Sequence, residues 1–153
     1  MATQGNSSKA QTHESINPRR IWLAGLVGVV ASVITNLVAR MVLFAVLPLP
    51  AEFPPLQAGT IAIFTAAGTL MAAVVYALIA RFTRRPVTVF RWVAFVALIL
   101  SILPNLALVS NPGAIPFPFP GASGLAFGVL IVFHLLAALV CVVALTSLSR
   151  EKR

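Results

Sequence analysis

Four long apolar runs alternate with short polar or proline-rich segments along the chain. They cover residues 21–47, which Asn36 and Arg40 interrupt, and residues 58–80, 92–109 and 125–148. About 20 helical residues cross a hydrocarbon core of about 30 Å. Since lipid offers backbone groups no hydrogen-bond partner, each run should form a helix. The pattern predicts an all-α fold, a four-transmembrane-helix bundle.

The basic residues divide the connections into two kinds. Ten of the 11 Lys and Arg residues lie in residues 1–20, 81–91 and 150–153, and the two other connections hold none. With four spans, these three segments lie on the same side, which the positive-inside rule makes cytoplasmic. We therefore expect the termini N-in/C-in, with residues 1–20 as a flexible polar cytoplasmic tail, 21–149 as the membrane domain and 150–153 as a basic cytoplasmic stub.

Composition narrows the class of protein. Of the 153 residues, 59% are hydrophobic and only 9% are charged, and no Asp, Glu, Lys or Arg occurs between Trp92 and Ser149. A soluble domain would carry about a quarter charged residues. The Lys and Arg residues that give the net charge of +8 flank the apolar runs. This placement indicates a role in membrane orientation, and we expect no nucleic-acid partner. The single cysteine, Cys141, excludes an intramolecular disulfide.

Both connections without basic residues are rich in proline. Four prolines lie in residues 47–56 and four in residues 111–124, which predicts stiff turns. We expect Phe53, Phe117 and Phe119 at the outer membrane interface. The PFPFP segment, residues 116–120, is interpreted as a turn that rests on lipid headgroups, and the alternative is a partner-docking or lid element.

Polar residues within the spans are the only material for a site. Counted at 1.5 Å per residue from the flanking arginines, Asn36, Thr65 and His134 lie about 24 Å, and Asn105 about 21 Å, from the cytoplasmic side. We predict that these four form one polar layer, with His134 within hydrogen-bond or one-water reach of Asn36 or Asn105. Arg40 lies one turn further out, where it either reaches the headgroups, pairs with Glu52 or joins the pocket.

Small residues indicate where helices pack closely. Ala24, Gly28 and Ser32 recur every four residues in the first span, and Gly124 and Gly128 form a GxxxG in the fourth. The two halves also match at an offset of 69 residues, for example Ser32 with Ser101 and Asn36 with Asn105. This match indicates either a duplicated helical hairpin or the chance similarity of two ordinary hairpins.

Catalytic and metal-binding patterns are absent from the sequence. No span contains Asp or Glu, and no HExxH, GxSxG or Gly-Lys phosphate loop occurs. One histidine without a carboxylate or a second histidine makes neither a metal site nor an acid–base pair. We predict no enzyme activity, no cofactor and no metal.

Four sequence segments resemble a known family. In order they are RRIWLAGLVGVV, EFPPLQAGTIAIFTAAGTL, RRPVTVFRWVAFVALILSILPNLAL and FHLLAALV. Over about residues 18–150 the chain resembles a bacterial family of small four-span membrane proteins of unknown function. The resemblance implies a location in the bacterial cytoplasmic membrane, and it transfers no activity and no site residues.

Two functions fit these observations. The preferred interpretation is a non-enzymatic accessory or structural protein of the lipid bilayer, whose partner would be another membrane protein or a second copy of this chain. The alternative is a small transporter or ligand-binding membrane protein that uses the polar layer, with Arg40 favouring anionic or neutral polar ligands. A transporter needs a water-accessible path to Asn36, Asn105 and His134, and a packed bundle does not.

Overall fold

The computed structural model describes residues 18–114 and 119–149, and these form an all-α fold. The helices are α1 (Pro18–Val46), α2 (Ala58–Phe82), α3 (Pro86–Ser110) and α4 (Gly124–Leu148). Single 3₁₀ turns at Pro54–Leu56 and Pro112–Ala114 lie in the two proline-rich connections. All four α-helices are long and apolar enough to cross a membrane. This confirms the predicted helical class and the number of spans.

The helix ends follow from local sequence. Pro86 begins α3, where its fixed φ suits the first turn and its missing N–H needs no partner. The Ser123 hydroxyl caps α4 by accepting a hydrogen bond from the Ala126 amide at 3.2 Å. The third span was predicted to start at Trp92, but its helix begins six residues earlier, at Pro86. The prediction used the limits of the charge-free run, which Arg91 bounds, whereas the helical backbone includes Arg91 and the residues before it.

Close contact decides which helices are neighbours. Helix α1 packs against both α2 and α4, α3 packs against α4, and α2 and α3 barely meet. The side of α1 that carries Ala24, Gly28, Ser32 and Asn36 is buried between α2 and α4. Beside it, a Cβ added at Gly25 would lie 2.9 Å from the Cβ of Ala73. The small-residue pattern of the first span therefore marks the central interface of the bundle.

One end of the bundle carries the helix-flanking arginines, and we call it the arginine end: Arg19, Arg20, Arg81, Arg84, Arg85 and Arg91. Its core joins all four helices, and Tyr76 lies at its centre with no exposed surface. The Tyr76 hydroxyl is hydrogen-bonded to the Ser149 hydroxyl at 3.0 Å, and its ring packs against Phe90 with centroids 4.8 Å apart. Cys141 is buried in the same core.

The opposite end, which carries the two proline-rich connections, is called the proline end. Phe53 is fully buried there, and it packs edge-on against Phe119 and Phe127 with ring centroids 6.3 and 5.4 Å away. The expectation that Phe53 lies at the membrane interface is therefore wrong, because the first connection folds back over the helix ends. Phe119 is 43% exposed.

Gly121 brings the two proline-rich connections together. Its φ of +73° lies in the left-handed region, and a Cβ at this position would lie 2.6 Å from the Cβ of Pro50. The rest of the second connection is described only in part, because Phe117 and most of the PFPFP segment lie outside the described residues. The predicted polar tail up to residue 17 and the basic stub also lie outside them.

A pair of glycines tests the crossing of α3 and α4 at the proline end. A Cβ at Gly124 would overlap with the backbone oxygen of Val109, whereas a Cβ at Gly128 would meet nothing within 4 Å. We expect Gly124→Ala to destabilise the protein by about 1–3 kcal/mol, the usual cost of overpacking. Gly128→Ala is the matched control and should leave stability unchanged or slightly higher. Unfolding in mixed micelles, followed by circular dichroism, measures both, and equal stability of the two variants would contradict the crossing.

Candidate functional site

Asn36 joins three helices through one side-chain amide. It is 1% exposed, and its Nδ2 donates to Thr65 Oγ1 on α2 at 3.0 Å and to the Phe133 carbonyl on α4 at 3.4 Å. A carbonyl oxygen can only accept, so the nitrogen and not the oxygen of the amide must face Phe133. Two members of the predicted polar layer, Asn36 and Thr65, are therefore in direct contact.

Two buried oxygens beside this contact have no partner among the described residues. They are Oδ1 of Asn36 and Oγ of Ser32, which lie one helical turn apart on α1. An unpaired buried polar group costs about 1–3 kcal/mol. These two oxygens therefore lower the stability of the interface. The two hydrogen bonds donated by the Asn36 amide nitrogen offset that loss.

One of the two ring nitrogens of His134 forms a hydrogen bond within α4. Its Nδ1 lies 2.6 Å from the Leu130 carbonyl oxygen, one turn earlier on α4. Because the carbonyl accepts, Nδ1 carries the proton in this bond, and in the tautomer with its proton on Nδ1 the other ring nitrogen, Nε2, is an acceptor. No described residue is bonded to Nε2. The ring is half-buried.

Asn105 does not join the other polar residues. Its Nδ2 donates to the Ser101 carbonyl at 3.2 Å, and the Ser101 hydroxyl donates to the Leu98 carbonyl at 2.8 Å, so both are used within α3. No direct hydrogen bond joins His134 to Asn36 or Asn105, and the predicted reach through one water stays a prediction. The structure brings Asn36, Thr65 and His134 to the border of one cavity, and it leaves Asn105 outside that border.

Arg40 is used to hold the proline end together. Its Nε donates to the Leu56 carbonyl at 2.7 Å, and its guanidinium lies 4.4 Å from the centroid of the Phe44 ring. No ion pair with Glu52 forms among the described residues. Arg40 therefore anchors the first proline-rich connection to α1 and does not line the cavity.

The cavity itself is a cleft of about 800 Å³ between α2 and α3, with α4 as its floor. Six of the residues that line it on these helices are glycine or alanine, and their small side chains leave space between the helices. A Cβ added at Gly68 meets nothing within 4 Å, so this glycine faces open space. The small lining residues are Gly68, Ala72, Ala94, Ala97, Ala137 and Ala138.

Aromatic and weakly polar side chains complete the lining. Phe64 and Phe133 border it in the same part of α2 and α4 as Thr65 and His134, and Phe119 contributes from the second connection. None of the described lining residues is Asp, Glu, Lys or Arg. Sequence reasoning found Asn36, Thr65 and His134 but missed the polar lining residues Thr60, Thr69 and Ser101. It also missed the cleft, whose signal is the alanines on α3 and α4 among larger Leu and Val residues.

The chain belongs to a family of unknown function, DUF6069, which it matches over residues 13–151. No curated protein and no solved structure matches the chain. The family match and the four apolar helices confirm the resemblance to small four-span membrane proteins of unknown function.

A double-mutant cycle tests the contact between α1 and α2. Asn36→Leu and Thr65→Val should each destabilise the protein, and their coupling energy should be about 1 kcal/mol, as for interhelical polar pairs in membranes. Thr60→Val is the matched control, because Thr60 also lies on α2 and lines the cleft but forms no hydrogen bond with Asn36. Unfolding in mixed micelles gives the four free energies. Strict additivity of Asn36→Leu and Thr65→Val would contradict the bond.

Proposed function

We propose that this chain is a non-catalytic accessory protein of the cytoplasmic membrane, with both termini cytoplasmic, whose α2–α3 cleft binds an uncharged apolar molecule from the bilayer. The observation that carries the proposal is the cleft itself, which lies between two helices that are long and apolar enough to cross a membrane. The protein would thus combine the accessory role with the ligand binding that the sequence offers as the alternative.

The charges at the two ends support the orientation. The arginine end carries six arginines among the described residues, and the proline end carries only Arg40. The Arg40 side chain is tied to Leu56 and Phe44. Basic residues in short connections remain cytoplasmic during insertion. The arginine end is therefore the cytoplasmic end of the proposal.

The size and shape of the cleft support binding of a small molecule. Ligand pockets commonly measure about 300–1,000 Å³ and are lined mainly by apolar groups with a few polar ones, and this cleft of about 800 Å³ has that lining. Since α2 and α3 barely meet, the opening between them faces the hydrocarbon region. A ligand would enter from the bilayer, without crossing the polar connections.

The lining also supports an uncharged ligand. Its described residues include no Asp, Glu, Lys or Arg, and Arg40, which would favour an anion, lies outside it. Moving an unpaired charge into such surroundings is costly. Arg40 was expected to favour anionic or neutral polar ligands, but it does not line this cleft, and we propose an uncharged ligand on the basis of the lining alone.

The same lining supports the absence of catalysis. His134 is the lining residue able to act as a base, and the thiol of Cys141 lies seven positions further along α4. That separation is about 10 Å along the helix axis, beyond hydrogen-bond reach. Neither has a carboxylate beside it in the lining.

The exposed side of α3 supports a protein partner as a second candidate. This helix packs on α4 along one edge, and its most apolar stretch has no residue buried within the bundle. Such a helix could bind another membrane protein or a second copy of this chain by its free side, and this contact would leave the cleft accessible from the bilayer or close it.

Reporter fusions test the orientation. A reporter that is active only in the cytoplasm should work when fused after Thr83 or Arg153, and it should fail when fused after Glu52 or Gly113, because the arginine end is retained inside. Activity of each fusion in intact cells is the measurement, with fusion abundance by immunoblot as the control. Cytoplasmic activity after Gly113 would overturn the four-span orientation.

Filling the cleft tests ligand binding. The probe is an uncharged alkyl chain that carries a photoreactive diazirine and a terminal alkyne, added to protein in liposomes. Peptides that contain Ala97 and Ala138 should be labelled in the natural protein. Gly68→Leu should reduce this labelling roughly tenfold, since an overlap that costs about 1.4 kcal/mol weakens affinity tenfold.

The control for this variant is Gly128→Leu. Gly128 also has open space at its Cβ, but it does not line the cleft, so labelling should be unchanged. Both variants should remain folded by circular dichroism, because a Cβ at either position meets nothing within 4 Å. Equal labelling of the Gly68→Leu and Gly128→Leu proteins would contradict a ligand in the cleft.

A further inference from the structure

We infer that the ligand of the cleft is an apolar alcohol whose hydroxyl group donates a hydrogen bond to Nε2 of His134. This inference rests on the proposed function and adds the chemical class of the ligand and the residue that selects it. It follows from the hydrogen-bond accounting of the cleft, from the absence of charge in its lining, and from the depth of His134.

The hydrogen-bond accounting leaves an acceptor on α4. Nδ1 of His134 is used by the Leu130 carbonyl, which leaves Nε2 to accept. The Asn36 amide nitrogen is used by Thr65 and Phe133, and the Ser101 hydroxyl proton is used by Leu98. Neither can therefore donate to Nε2 without breaking a bond that it already makes. The missing donor fits a ligand.

Thr65 offers the complementary group. Its oxygen accepts from Asn36, and its hydroxyl proton has no acceptor among the described residues. A ligand hydroxyl can donate and accept at the same time, so it suits a lining that presents both a free acceptor and a free donor. An ether or a ketone could accept from Thr65 but could not supply the proton that Nε2 lacks.

Charge narrows the class further. An ammonium group could also donate to Nε2, but the lining holds no carboxylate to pair with it. An unpaired ion would lose its hydration in the cleft at a cost that one neutral hydrogen bond does not offset. The donor should therefore be a neutral hydroxyl.

Depth separates this ligand from ordinary phospholipids. His134 lies 10 residues after the start of α4 and 14 before its end. It is therefore about 15 Å from one end of the helix and about 21 Å from the other. A phospholipid headgroup stays at the membrane surface, whereas a single hydroxyl on an apolar chain can enter the hydrocarbon region. The position of His134 thus favours a molecule with one small polar group.

Three competitors of equal chain length test the inference: 1-dodecanol, dodecyl methyl ether and dodecane. Each competes with the alkyl diazirine probe for labelling of the natural protein in liposomes. Dodecanol should compete about fivefold more strongly than the ether, the effect of one net hydrogen bond. Membrane partitioning of the competitors is the same for every variant, so changes in their ratio report the protein site.

Variants then assign the preference to His134. In His134→Leu both dodecanol and the ether should still compete with the probe. The advantage of dodecanol over the ether should be lost, so the ratio of their competition strengths should fall about fivefold from its value in the natural protein. The fold should survive, because the lost side-chain bond lies within α4. Ser147→Ala is the matched control, since the Ser147 hydroxyl is also bonded to a carbonyl one turn earlier on α4, that of Val143, but does not line the cleft, so its alcohol preference should be unchanged.

The outcomes separate this inference from the proposed function. Competition by all three molecules with no preference for dodecanol, or a preference that persists in His134→Leu, would overturn the alcohol inference and leave the cleft as a binding site. Failure of all three to compete, together with labelling that Gly68→Leu does not reduce, would overturn the binding site itself.

Discussion

Close contact between helix backbones is the constraint on which this structure depends. In lipid, helices gain little from burying apolar surface, so association depends on how closely two backbones can approach. Helix α1 meets this requirement on two sides. A Cβ at Gly25 would lie 2.9 Å from Ala73 of α2, and a Cβ at Gly28 would lie 3.4 Å from Ala144 of α4. These contacts make α1 the central helix and bury Asn36 where it can bond to both neighbours.

The same requirement explains why α3 stands apart from α2. At the offset of 69 residues, Ser101 and Asn105 of α3 match Ser32 and Asn36 of α1, but Ala94 and Ala97 stand where α1 has Gly25 and Gly28. Helix backbones approach most closely at glycines, and α3 has none on the side that borders the cleft. The contact of α3 with α2 that a two-fold arrangement would require is barely formed, and Ala97 and Ser101 border the cleft instead. Whatever the origin of the sequence match, the two hairpins are not equivalent in packing.

Sequence patterns determine the height of a residue along a helix far better than the direction in which it faces. The lengths of the apolar runs predicted four helices correctly, and counting from arginines placed Asn36 and Thr65 in one layer, where they are bonded. The same count placed Asn105 near that layer, but its side chain bonds within α3 and lies outside the lining. Depth depends on a fixed rise per residue, whereas rotation depends on packing with other helices. The burial of Phe53 was missed for a related reason, since no local pattern shows that a connection will fold over the helix ends.

The persistence of the cleft follows from how α3 is held at its two ends. At the arginine end Phe90 packs on Tyr76, which is itself bonded to Ser149 of the segment after α4. At the proline end the Val109 backbone lies against Gly124, where there is no room for a Cβ. Closing α2 and α3 along their middle would require α3 to bend or to break one of these contacts. Interiors that are packed at fixed points move between discrete arrangements and do not deform continuously. The gap beside His134 and Thr65 is therefore a built feature of the fold, and a molecule that fills it gains dispersion contacts without the protein having to open first.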